Sequence, residues 1–178
     1  DQQYFFDQIL RCGQRIAFDK ANIPYILNHT PERDLETDTR FWHKCTAVAQ
    51  FNIQAAKDSP QVAVTLCKIA LLNTACVQIA IGLIRVFLGY TPREFALKYL
   101  LQLCGNFTDL PQQVFANSTE NDIRLFKMLC APAGMLLHWT KLNAEENDFE
   151  ILLQNCEAYL ESANELAETE LKRLKTLT

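Results

Sequence analysis

The sequence predicts an all-α protein: an antiparallel up-and-down bundle of about five main helices, with a short N-terminal helix and one possible short strand. Three observations carry this. Glycine and proline are scarce, five and six in 178 residues, and both disfavour helix interiors. From Val62 to Leu88 nearly every residue is apolar, interrupted by Thr65, Lys68, Asn73, Thr74, Gln78 and Arg85; a helix apolar all round is buried all round. Near the C-terminus Phe149, Leu152, Leu153, Cys156, Leu160, Ala163, Leu166 and Ala167 recur at helical spacing. A chain of this length holds one domain with a real core.

Taken in order, Tyr4 to Gly13 has helical character, with Phe5, Ile9 and Cys12 on one side. Arg15 to Phe18 suits a short strand, and a lone strand in a helical domain cannot pair its edges. Residues 1–20 therefore read as the tail of something else, an upstream domain or a partner's sheet. Residues 21–33 are a connector held extended by Pro24 and Pro31. The bundle occupies 34–178. Its first helix is expected to start between Asp34 and Asp38 and to run to Lys57, with acids leading it as the helix dipole favours. Phe41, Cys45, Val48, Ala49, Asn52 and Ala56 trace its expected inner face. Asp58-Ser59-Pro60 separates it from the apolar helix. Gln78 and Arg85 interrupt that apolar run and the other helices are amphipathic, so a core helix and not a membrane span is expected.

Gly89 is a natural stop, free to take positive φ. In Thr91-Pro92-Arg93-Glu94 the threonine can cap a further helix, the proline suits its first position and the glutamate completes a capping box. Phe95, Tyr99, Leu100 and Leu103 are its expected apolar face, up to Gly105. The stretch NFTDLPQQVFANS reads as a loop plugged by Leu110, Val114 and Phe115. Thr119 with Asp122 caps the next helix, whose inner face is Ile123, Phe126, Leu129 and Cys130, and Pro132 and Gly134 interrupt it before His138. Asn147 with Glu150 is expected to cap the last helix. Unbroken to Leu177 that helix spans about 45 Å and overhangs the others.

Net charge is −4, which implies no general affinity for a nucleic-acid backbone. The opening DQQYFFDQIL lacks a basic start and a long apolar run, so no secretory signal is expected. Seven cysteines, Cys12, Cys45, Cys67, Cys76, Cys104, Cys130 and Cys156, include no CxxC pair. They read as small buried hydrophobes in a reducing cytoplasm. No Gly-rich phosphate loop and no zinc-ligand spacing is present, so no cofactor or metal is expected. Glu36-Thr37-Asp38 has acid-x-acid spacing but no Gly-Ser turn before it, and reads as a solvated first turn. Of the histidines, His29 is expected to be exposed, His43 to be structural, and His138 to lie at a helix irregularity beside Trp139 and Lys141.

The segments NTACVQIAIGLIRVFLGYTP and FALKYLLQLCGNF, with the late LLHWTKL, resemble the HEPN domain over roughly Asp34 to Ala167. The likeness is strongest to bacterial HEPN domains that follow a minimal nucleotidyltransferase, and Tyr4-Phe5-Phe6 to Phe18 resembles the tail of such a transferase. The resemblance implies a helical bundle that commonly dimerises, and either a metal-independent ribonuclease with an Arg-x4-6-His motif or a non-catalytic binding module. The chain departs from the ribonuclease pattern. Arg124 precedes His138 by fourteen residues, Leu137 stands where close relatives carry arginine, and Val77 and Asn73 replace polar pocket positions. The expectation is a non-catalytic module that does not cleave RNA. It binds a nucleotide-type ligand, RNA or a protein partner through Asn73, Gln78, Arg85, His138 and Lys141, as a homodimer, beside a nucleotidyltransferase in cis or trans. The alternatives are a ribonuclease acting through His138 and a purely structural dimerisation module.

Overall fold

The computed structural model describes residues 33–60, 65–116, 118–130 and 144–176, and over these the protein is an all-α bundle. Six helices are present among the described residues: α1 Leu35–Asp58, α2 Thr65–Leu88, α3 Leu97–Cys104, α4 Leu110–Val114, α5 Glu120–Cys130 and α6 Glu146–Lys175. The expected N-terminal helix and strand, the Pro132 interruption, His29, His138 and Lys141 lie outside the described residues.

Asp34 starts α1 as its sequence position suggests. Its carboxylate accepts from the Thr37 backbone N–H at 2.9 Å and from the Thr37 hydroxyl at 2.6 Å, satisfying one of the helix's unpaired donors. The buried face of α1 is Asp38, Trp42, Cys45, Thr46, Ala49, Asn52, Ile53 and Ala56. That is turned from the expected stripe. Val48 is 43% exposed and Phe41 is only half-buried, while Trp42 and Ile53 take the core positions.

α2 is the central helix. Its length and composition would suffice to cross a membrane, but here the helix is sheathed by α1, α3, α5 and α6. Thirteen of its residues are buried, among them Ile69, Leu72, Ala75, Cys76, Ile79 and Leu83. α1 lies antiparallel to it: Asp38 meets Arg85, and Trp42, one turn on, meets Gly82. Lys68 is 3% exposed. Its ammonium reaches Glu146 at 2.8 Å and lies over the Phe149 ring, tying α2 to α6.

Gly89 ends α2 with φ 71°, as the sequence predicts. The next step differs. The chain stays non-helical through Ala96 and α3 starts at Leu97 without a side-chain cap, so the Thr91/Glu94 capping box does not form. α3 buries Leu97, Leu100, Leu101 and Cys104 and leaves Phe95 and Tyr99 55% and 38% exposed. The expected loop after Gly105 contains α4, which seats Leu110, Pro111 and Phe115 in the core. The Thr119/Asp122 box on α5 is present, with Asp122 accepting from the Thr119 N–H at 2.9 Å and donating its own N–H to the Thr119 hydroxyl oxygen at 3.1 Å. α5 buries Leu125, Met128 and Leu129; Ile123, expected inside, is exposed.

α6 is capped at Glu145, two residues before the expected Asn147. Its first turn is closed by the Asp148 carboxylate accepting from the Glu145 N–H at 3.0 Å. Its thirty residues span about 45 Å, but the core contact does not stop short. Leu171 is 5% exposed, so the helix is packed almost to its end. Tyr159, absent from the expected stripe, is its largest fully buried side chain.

Candidate functional site

Three of the five expected ligand-binding residues fall on α2, and the structure gives each a definite place. Asn73 donates from Nδ2 to the Leu129 carbonyl at 2.8 Å, joining α2 to α5. Gln78 is half-buried and its side chain makes no hydrogen bond among the described residues. Arg85 donates from Nε to Asp38 Oδ1 at 2.6 Å and lies over the Phe41 ring. Asn73 and Arg85 are twelve residues apart on one helix, about 18 Å, so they do not converge.

Arg85 belongs instead to a clasp at one end of the bundle. Asp38 is 1% exposed, a correction to the solvated first turn expected from Glu36-Thr37-Asp38. Its second oxygen accepts from Arg33 Nε at 2.6 Å, and Arg33 Nη2 also donates to the carbonyls of Arg85 at 2.9 Å and Val86 at 2.5 Å. One arginine thus closes the C-terminal end of α2, where a cation is favoured, and binds the carboxylate that holds the second arginine.

A second forked pair links α5 and α6. Arg124 donates to both oxygens of Asp148, at 2.9 and 2.5 Å. The guanidinium beside Asp148 holds its carboxyl below the ordinary value of 3.8, against the opposing effect of burial. The depressed value means that this pair stabilises the fold above the unfolded-state pKa and loses its contribution as pH falls through the folded-state value. Asp148→Asn is therefore expected to lower the urea midpoint at neutral pH and to flatten the fall in stability on the acid side. Equal acid slopes for the two proteins would show that Asp148 does not carry it.

Among the described residues the bundle interior holds a polarisable cluster of thiols. Cys76 and Cys156 approach with sulfurs 3.3 Å apart. The hydrogen bond with the Cys156 sulfur, and then burial, push the Cys76 thiol up, and burial pushes Cys104 up to about 12. Such thiols stay protonated and inert. Four of the six described cysteines, Cys45, Cys76, Cys104 and Cys156, are buried as expected, while Cys67 is exposed. Among the described residues no group of three or more His, Cys, Asp or Glu side chains could hold a metal.

An exposed apolar set lies on the solvent side of α1. Phe51 is 71% exposed and Val48 43%. Ala47 is exposed and Ala55 half-buried beside them, so a ring stands among small apolar side chains three and four residues away, on one helix face. Exposed Lys44 and Asp58 sit seven residues on either side of Phe51. Lys44 has no ion-pair partner among the described residues, and Asp58 takes one hydrogen bond, from Gln54 Nε2 at 2.9 Å. Sequence reasoning missed this face because it placed Val48 inside. The spacing 44, 48, 51, 55, 58 was the available signal, a three-four repeat on the side of α1 opposite its core stripe.

No family model, no curated protein and no solved structure matches the chain.

Proposed function

We propose that the chain is a non-catalytic helical association module that pairs with a second copy of itself through the outer face of α1. The observation that carries this is Phe51, a ring 71% exposed in the middle of a helix. Burying such a ring contributes about 1.5–3 kcal/mol, and isolated exposed apolar residues need no explanation whereas a contiguous set does. The charges favour a copy of the same chain. When two α1 helices cross antiparallel with Phe51 at the two-fold axis, Lys44 of one faces the partner subunit's Asp58, and the reverse. Each ring then lies against Ala47, Val48 and Ala55. A single-helix seam is small for a stable interface, so dissociation in the range of tens of micromolar is expected.

Charge reversal tests the pairing. Lys44→Glu and Asp58→Lys should each shift self-association about tenfold weaker by sedimentation, since each sets like charges opposite one another twice. An equimolar mixture of the two should associate again, because both contacts become attractive in the mixed pair. Phe51→Glu should be monomeric throughout. A wild-type chain monomeric at about 100 μM, or a mixture no tighter than its components, sinks the reading, with concentrations chosen to straddle the expected constant.

The non-catalytic part of the proposal is supported by Arg124. The arginine preceding His138 is held in a fork by Asp148 and is not free to meet a phosphate. The HEPN-like assignment and service beside a nucleotidyltransferase rest on the resemblance of NTACVQIAIGLIRVFLGYTP and of the Tyr4 to Phe18 tail. An association module is the role that such a neighbour leaves to a bundle of this kind.

A further inference from the structure

A pocket of about 120 Å³ opens where α3, α4 and α5 meet. Its floor is apolar: Leu101 from α3, Pro111 and Phe115 from α4 and the residue after it, and Phe126 from α5. The floor is also fixed. Phe115 packs edge-on against buried Tyr159, ring centroids 5.4 Å apart, and tilts against Phe126 at 6.2 Å. The rim is polar and comes from two helices, with Lys98 and Gln102 on α3 and Gln112 on α4. The Gln112 amide nitrogen lies 3.1 Å from where a side chain would begin on Gly105, so the glycine leaves the room that the amide uses.

The size and the charge together define an occupant. An apolar cavity of about 150 Å³ is known to accept a benzene ring, so this pocket holds about one ring. Its rim offers an ammonium and two amides that can donate hydrogen bonds. No carboxylate lines it, and Lys98 has no ion-pair partner among the described residues. We propose that this pocket binds a small free aromatic carboxylate, with the ring on Leu101, Phe115 and Phe126 and the carboxylate on Lys98, assisted by Gln102 and Gln112. The site is independent of the α1 face and uses none of its residues. A longer peptide ending in phenylalanine carries the same chemistry, but it must also order the residues behind the ring, for which the pocket offers no contacts of its own.

The test is a nuclear magnetic resonance titration of the intact chain with three probes: phenylacetate, acetate and phenethylamine. Phenylacetate should saturate with a dissociation constant of about 1 mM, as expected for a ligand of about ten heavy atoms, and should shift the signals of Leu101, Gln112 and Phe126. Acetate lacks the ring and phenethylamine carries the wrong charge, so each should bind at least about tenfold more weakly. Lys98 is exposed, so Lys98→Glu should leave the fold intact and invert the preference towards phenethylamine. An acetylated Ala-Ala-Phe peptide should bind more weakly than phenylacetate; tighter binding would assign the pocket to chain ends instead. Equal affinity for phenylacetate and phenethylamine, an unchanged preference in Lys98→Glu, or shifts confined to other parts of the bundle would each overturn the proposal.

Discussion

Asp38→Asn is expected to cost about 3–5 kcal/mol of unfolding free energy, the usual result of removing one member of a buried charged set. The reason is what stays behind. Arg33 and Arg85 side chains are 8% and 14% exposed, and the carboxylate between them 2%. Asparagine supplies one neutral acceptor where two arginines share a negative charge, so two cations are left close together and poorly solvated. For a chain of this size the melting midpoint should fall by about 6–20 °C. The same argument makes a second measurement informative. Replacing the three residues together with apolar ones of similar volume removes the desolvation cost along with the attraction, and should recover most of the loss. An Asp38→Asn midpoint within about 2 °C of wild type would mean that the clasp is not closed in solution.

Trp42→Ala is expected to cost a similar amount, about 3–5 kcal/mol, and its coupling to Gly82 identifies why. Trp42 is 1% exposed and its ring lies on the one glycine of α2. A methyl group on residue 82 would sit 2.6 and 2.8 Å from ring atoms Cε3 and Cζ3, and 3.1 Å from Cβ of Cys45. Two effects oppose each other in Gly82→Ala. Alanine favours the helix by about 1 kcal/mol, whereas overpacking a tight core costs about 1–3 kcal/mol. A ring wedged between two long helices cannot swing aside, so the clash should win and Gly82→Ala should destabilise the wild type. In the Trp42→Ala background the ring is gone and the same substitution should be neutral or stabilising. A double-mutant cycle showing no coupling would place Trp42 somewhere other than over Gly82.

The parts of the fold legible in the sequence were those set by neighbours in the chain. The apolar run of α2, the stop at Gly89 and the Thr119/Asp122 cap all follow from residues within a turn or two of one another. Thr91-Pro92-Arg93-Glu94 shows the limit of such local reasoning. The motif carries a complete starting signal, but Leu97, Leu100, Leu101 and Cys104 have the spacing of a core face and are all buried. Packing those four on α2 set where α3 begins, and the cap was left unused. Asp38 fails for the opposite reason. A first-turn acid is normally solvated, and nothing near it in sequence announces that Arg85, forty-seven residues away, will bury it. On α1 the expected stripe was turned towards Val48, and that rotation was enough to hide Phe51, since a core-facing Val48 takes the outer patch away. The pocket at α3, α4 and α5 had no sequence signal, because its floor is built from three helices and one of them, α4, lay in a stretch that reads as loop.

The clasp fixes more than a helix end. Arg33 is tied to the last turn of α2, so the start of α1 is pinned to the end of α2, about 24 Å along the α1 axis from Phe51 at 1.5 Å per residue. In the antiparallel pair proposed above the two clasps point away from each other and stand about 48 Å apart. At that separation neither clasp of the proposed pair can touch the other, so each holds only its own copy together.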